Sequence, residues 1–155
     1  MKSKSETIFI SGIVAGTLDI IAAILIYAVI LQKTTATKIL QSIASGFFKK
    51  EAYTGGSQMA LYGFLFHYFI ALIFAYIYFT IYPYISFLKK NTILSGFLYG
   101  IFVWIVMNLI VLPATFPVLP EKHFDFPLLL SVIILMFCIG LPIAFITRKY
   151  YCSHK

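Results

Sequence analysis

Long stretches without charge limit what this chain can fold into more than any other feature. No Asp, Glu, Lys or Arg occurs between Glu51 and Lys89, between Lys90 and Glu121, or between Asp125 and Arg148. From Thr7 to Gln32 the only such residue is Asp19. A helix needs roughly 20 apolar residues to cross about 30 Å of hydrocarbon, and each stretch supplies that many. The strands of a membrane barrel are about 10 residues long and alternate polar with apolar, which these stretches do not. Charged residues make up 11% of the chain and hydrophobic ones 61%. Soluble domains carry about a quarter charged residues, and a surface this apolar would aggregate in water.

The sequence therefore predicts an all-α membrane protein: one domain over 1–155, folded as a four-transmembrane-helix bundle. The spans fall at about 8–31, 59–82, 93–112 and 127–147. The first, preceded by Lys2 and Lys4, is read as a span and not a signal peptide. Its apolar part exceeds the usual 7–15 residues, and no small-residue cleavage site follows.

Four spans place the N-terminus, the loop near 83–92 and the C-terminus on one side. That side carries Lys2, Lys4, Lys89, Lys90, Arg148, Lys149 and Lys155; the other carries Lys33, Lys38, Lys49, Lys50 and Lys122. The larger positive set points to cytoplasmic termini. Tyr76, Tyr78, Tyr82 and Tyr84 would then share an aromatic belt with Tyr150 and Tyr151. The net charge of +7 sits at helix ends, where it anchors the bundle to anionic lipid head groups. Membrane lipids are thus the expected partner, and nucleic acid is not. Cys138 lies mid-span and Cys152 in the tail, too far apart for a disulfide.

The connection at 32–58 contains a helical period over about 37–50. Ile39, Leu40, Ile43, Ala44, Phe47 and Phe48 fall on one face; Lys38, Gln41, Ser42, Ser45 and Lys49 fall on the other. Thr35 or Thr37 is placed to cap it. The stretch suits an amphipathic helix in the membrane interface, either packed on the bundle or acting as a lid over a cavity.

The spans also contain a repeat. Ser11-Gly12-x-x-x-Gly16 opens the first and Ser95-Gly96-x-x-x-Gly100 the third. Glycines four apart let helices approach closely. The repeat predicts two similar helix hairpins related by an axis along the membrane normal. The same glycine faces are candidate interfaces for a homo-dimer. Pro142, after Gly140, removes a backbone bond within the fourth span and is expected to kink it, as a packing bend or a hinge. Pro113, Pro117 and Pro120 should stiffen the loop after the third span.

Asp19 is the residue that most invites a chemical role. It lies near the middle of its span, where a charged carboxylate costs roughly 2.5–3.5 kcal/mol. It must face the bundle, be protonated or have a partner. His67, entering from the opposite side to a similar depth, leads as that partner, with Asn108 and Ser131 as alternatives. A buried Asp–His pair can hold or pass a proton, or fix helix register by a hydrogen bond. In the last loop Glu121, His123 and Asp125 alternate and would share one side of an extended chain, a minimal metal site or a solvated charge cluster. No phosphate-binding loop, zinc-protease helix, nucleophile elbow or dinucleotide fingerprint is present, so no cofactor is expected.

The run Gly12-x-x-x-Gly16-x-x-Asp19, His67 with aromatics through Tyr82-Pro83, Gly96-x-x-x-Gly100 and the stretch from Pro113 to Pro120 together resemble the YagU-like group of small bacterial inner-membrane proteins. The resemblance covers most of the chain. It implies a bacterial inner membrane and about four helices, and no established activity.

Three functions remain open from sequence. One is a binding or accessory role with a dry core around Asp19. The second is a small channel or proton-linked transporter with a cavity reaching Asp19 and His67. The third is a membrane enzyme, which would need several polar groups converging at one membrane face.

Overall fold

The computed structural model describes residues 3–111 and 126–153. The described residues are 90% helical, with no strand among them. Four helices are long and apolar enough to cross a membrane: Lys4–Ile30, Gly56–Ile81, Thr92–Val111 and Leu128–Ser153. They mark a multi-pass membrane protein; the second and third follow the sequence expectation to within three residues, while the first starts four residues earlier and the fourth runs six residues further, to Ser153.

Helix α1 (Lys4–Ala23) starts at a capping box. Ser3 Oγ accepts from the Glu6 amide at 3.1 Å, and Glu6 Oε2 accepts from the Ser3 amide at 3.3 Å. The box satisfies two amide donors that a helix start leaves free. The first span continues as a π-helical stretch, Ile24–Ile30. Helix α2 (Ala36–Phe48) and a 3₁₀ turn (Lys49–Tyr53) lead into α3 (Gly56–Ile81). A short α4 (Ser86–Lys90) precedes α5 (Thr92–Ile105), which ends in a second π-helical stretch, Val106–Val111. The fourth span comprises α6 (Phe126–Leu135), a π turn (Met136–Gly140) and α7 (Leu141–Ser153).

The sequence predicts α-helical spans with one kink at Pro142, so the three π stretches are a departure. A π turn holds one extra residue against its partner helix, and such turns occur often at functional sites. At Pro142 the fourth span stays helical. The backbone bond lost there is absorbed by the π turn just before it, where the Leu141 amide donates to the Met136 carbonyl.

The helices pack through glycine. A Cβ on Gly12 would press on Leu72, and one on Gly16 on Ala71 and Tyr68, all in α3. A Cβ on Gly96 would press on Leu141, and one on Gly100 on the backbone of Met136, both in the fourth span. Lipid drives helices together no better than Leu does, so contacts of this closeness and interhelical hydrogen bonds hold the bundle. These glycine faces were expected as a dimer interface; they are occupied within one chain.

Two further expectations are corrected. Tyr78 and Tyr82 do not join an interfacial belt. Both are buried, with Tyr78 Oη and Ser95 Oγ 3.0 Å apart and Tyr82 stacked on Tyr151 at 4.9 Å. Tyr76 and Tyr84 do remain exposed. Helix α2 is also rotated from its periodicity. Gln41 and Ser45 are buried, whereas Phe47 is 73% exposed. The cause is local: Gln41 Nε2 donates to the Gly56 carbonyl at 3.0 Å, where Gly56 turns the chain at φ +57. Bare Gly63 then lets the α2 backbone at Leu40 and Ala44 rest on α3.

Candidate functional site

Asp19 lies 15 residues from the start of α1, about 22 Å along the helix, which places it in the middle of the first span. His67 lies at matching depth on α3. His67 Nε2 is 4.0 Å from Asp19 Oδ2 and 2.8 Å from the carbonyl oxygen of Gly16. Its N–H therefore donates to a backbone carbonyl that the missing side chain of Gly16 leaves open, with the Asp19 carboxyl just beyond hydrogen-bond reach. Neighbouring residues brace the pair. Thr17 Oγ1 and Tyr68 Oη are 2.9 Å apart, and Tyr68 meets the His67 ring edge-on at 5.6 Å. The side chains of Asp19 and His67 keep 18% and 11% of their surface accessible, so neither is sealed.

What they face is a cavity of about 260 Å³ between all four spans. It occupies the half of the bundle nearer the 32–55 connection. Asp19, His67, Asn108 and Ser131 supply polar groups, and Tyr27 closes one wall. The rest is apolar, including Phe74, Val103 and Ile139, and Ile43 of α2 also contributes. Each π stretch places a residue in the wall: Tyr27 from the first, Met107 and Asn108 from the second, Ile139 from the third. The extra residue in each turn re-aims side chains into this space.

Asn108 and Ser131, the alternative partners of Asp19, line the same cavity but are anchored elsewhere. Asn108 Nδ2 donates to the Trp104 carbonyl at 3.1 Å. Ser131 Oγ accepts from Trp104 Nε1 at 2.8 Å and donates to the Leu128 carbonyl at 2.6 Å.

In the opposite half of the bundle, α5 is tied to α3 and to the fourth span. Tyr99 Oη donates to the Phe74 carbonyl at 2.6 Å, Tyr78 and Tyr99 meet edge-on at 4.7 Å, and Arg148 Nη1 donates to Thr92 Oγ1 at 2.7 Å. Sequence reasoning found the acid and the imidazole, because polar residues stand out in apolar spans. It missed Thr17, Tyr68, Tyr27 and Trp104. The first two could have been found, as they adjoin Gly16 and His67 in sequence.

No group of three or more His, Cys, Asp or Glu is placed to hold a metal among the described residues. Glu121, His123 and Asp125, the sequence candidates, lie outside the described residues, as do Pro113, Pro117 and Pro120. Compared with protein-family models, curated proteins and solved structures, the chain finds no match.

Proposed function

We propose that this chain is a small proton-linked membrane transporter whose working site is the cavity at Asp19 and His67. The observation that carries the reading is a cavity that reaches a mid-span acid. A purely structural acid would sit in a dry core with its hydrogen bonds satisfied, whereas Asp19 has a cavity before it and His67 4.0 Å away. The volume suits a small solute. Polar groups gathered among apolar walls suit an amphipathic one, its cationic or donor end toward Asp19. A proton held by the pair changes the charge that such a solute meets.

Apolar walls also favour a second reading, in which the cavity holds part of a membrane lipid and the protein binds or presents it. On either reading α2 acts as the cover, since Ile43 is part of the wall. The matched seating of Gly12 on α3 and Gly96 on the fourth span supports descent from a duplicated hairpin. Cytoplasmic termini, a bacterial inner membrane and kinship with the YagU-like group accord with the sequence features given above. One chain forms the whole cavity wall, so a homo-dimer is not needed to complete it.

Flux tests the proposal. Purified protein in liposomes should carry protons or small cations across a pH gradient or an imposed potential, and Asp19→Asn should abolish that flux while leaving the fold intact. Equal flux from both proteins would remove Asp19 from the transport site, and none from either would remove the transport reading and leave lipid binding.

A further inference from the structure

The glycine contacts set a register between the two hairpins. Gly12 faces Leu72 as Gly96 faces Leu141. In that register Ile70 corresponds to Ile139, and both line the cavity. Ala75 corresponds to Ala144, and both are fully buried. Tyr82 corresponds to Tyr151, and these two stack on each other at 4.9 Å and 22°, as equivalent residues beside a two-fold axis would.

The same register pairs two seams on the opposite half of the bundle from the cavity. Between α3 and α5, Tyr78 Oη meets Ser95 Oγ at 3.0 Å. Their equivalents between α7 and α1 are Thr147 and Ser11. Here the chemistry differs. Ser11 Oγ and Thr147 Oγ1 are the buried side-chain polar atoms without a hydrogen-bond partner among the described residues, and the two residues are 1% and 0% exposed. A buried hydroxyl left unpaired costs about 1–3 kcal/mol, and hydrocarbon cannot relieve it. Ser95 Oγ donates to the Thr92 carbonyl at 2.9 Å as well as meeting Tyr78; Thr147 is much shorter than Tyr78, and Ser11 Oγ has neither kind of contact. The difference extends along each helix. Tyr99 and Val103 follow Ser95 at four-residue steps, whereas the smaller Ala15 and the mid-span acid Asp19 follow Ser11 on α1; the two serines, Ala15, Tyr99 and Val103 are all buried.

We infer that the seam between α1 and α7 admits water, and that it is the route by which Asp19 communicates with the side of the membrane bearing the termini; the seam between α3 and α5 is the sealed one. Water is the partner that suits two buried hydroxyls in a small-residue seam. The inference deepens the transport reading and rests on it for its purpose, giving the acid a second access.

The test uses single cysteines at Ser11, Thr147 and Ser95 in a background carrying Cys138→Ser and Cys152→Ser. The probe is the charged reagent 2-aminoethyl methanethiosulfonate, with the protein in vesicles. Thiolate is the reactive form, so labelling reports water at the site. Ser11→Cys and Thr147→Cys should react roughly tenfold or more faster than Ser95→Cys, which shares their register and burial. Equal, slow labelling at all three positions would overturn the seam. Ser11→Ala and Thr147→Val provide a second measurement for any cysteine variant that does not fold. A wet seam predicts a lowered Tm, because bridging water is lost; a raised Tm would mean a dry seam and contradict the inference. Fast seam labelling without flux would remove the transport reading and leave the seam, and flux with uniform labelling would do the reverse.

Discussion

At the scale of single residues, His67 has two separable duties. Its N–H holds the Gly16 carbonyl at 2.8 Å, tying α1 to α3, and its ring faces Asp19. Glutamine can keep the first duty but cannot take up a proton. On the transport reading, His67→Gln is therefore expected to retain the fold and to lower flux. His67→Leu should also lower stability by about 1 kcal/mol, the scale of one interhelical hydrogen bond in a bilayer. Melting in detergent together with flux in liposomes separates the two effects. Asp19 and His67 were legible in the sequence because each is an isolated polar residue in an apolar run, and helical rise alone sets them at matching depth. Ser11 and Thr147 were not. Small hydroxyls are common in membrane helices, and only the three-dimensional register shows that one such pair lacks the partner that Tyr78 gives to Ser95.

At the scale of elements, what each glycine meets decides its tolerance. A Cβ on Gly16 would touch the side chains of Ala71 and Tyr68, the nearest at 3.1 Å, which can shift by a few tenths of an ångström. On Gly100 or Gly63 it would strike backbone, at Met136 and Leu40 respectively. Gly100→Ala and Gly63→Ala should each cost about 1–3 kcal/mol, the usual penalty for overpacking, and Gly16→Ala less. Thermal unfolding of the three variants side by side checks the order. The apolar lengths made all four spans readable beforehand, and the Ser-Gly-x-x-x-Gly motif marked two helices that pack closely on their neighbours. The rotation of α2 was hidden because periodicity ranks Gln41 and Ser45 as solvent-facing, whereas the turn at Gly56 demands a donor and draws Gln41 inward. The π stretches were hidden for a similar reason. Their cause lies in packing against neighbours and in the bond missing at Pro142, and neither alters hydrophobic composition.

At the scale of the whole molecule, two glycine-packed hairpins enclose a cavity on one half of the bundle and pack tyrosines into the other half. Residue size produces the asymmetry. Tyr78 and Tyr99 fill the seam between α3 and α5, whereas the equivalent positions on the other seam carry Thr147 and Ala15. On the transport reading, different side chains at matching depths in the two hairpins would supply the one firm side and one yielding side that alternating access to a central acid requires. On the transport reading, Asp19 is an accessible group that takes up a proton and not a buried strut. The most direct measurement is labelling of the folded protein in liposomes with dicyclohexylcarbodiimide, an apolar reagent that adds to protonated carboxyls within the membrane, followed by peptide mass mapping and flux on the same sample. The account predicts modification at Asp19 that slows as the pH rises, with flux lost in proportion to labelling. An unmodified Asp19 at every pH, or full modification with undiminished flux, would contradict it.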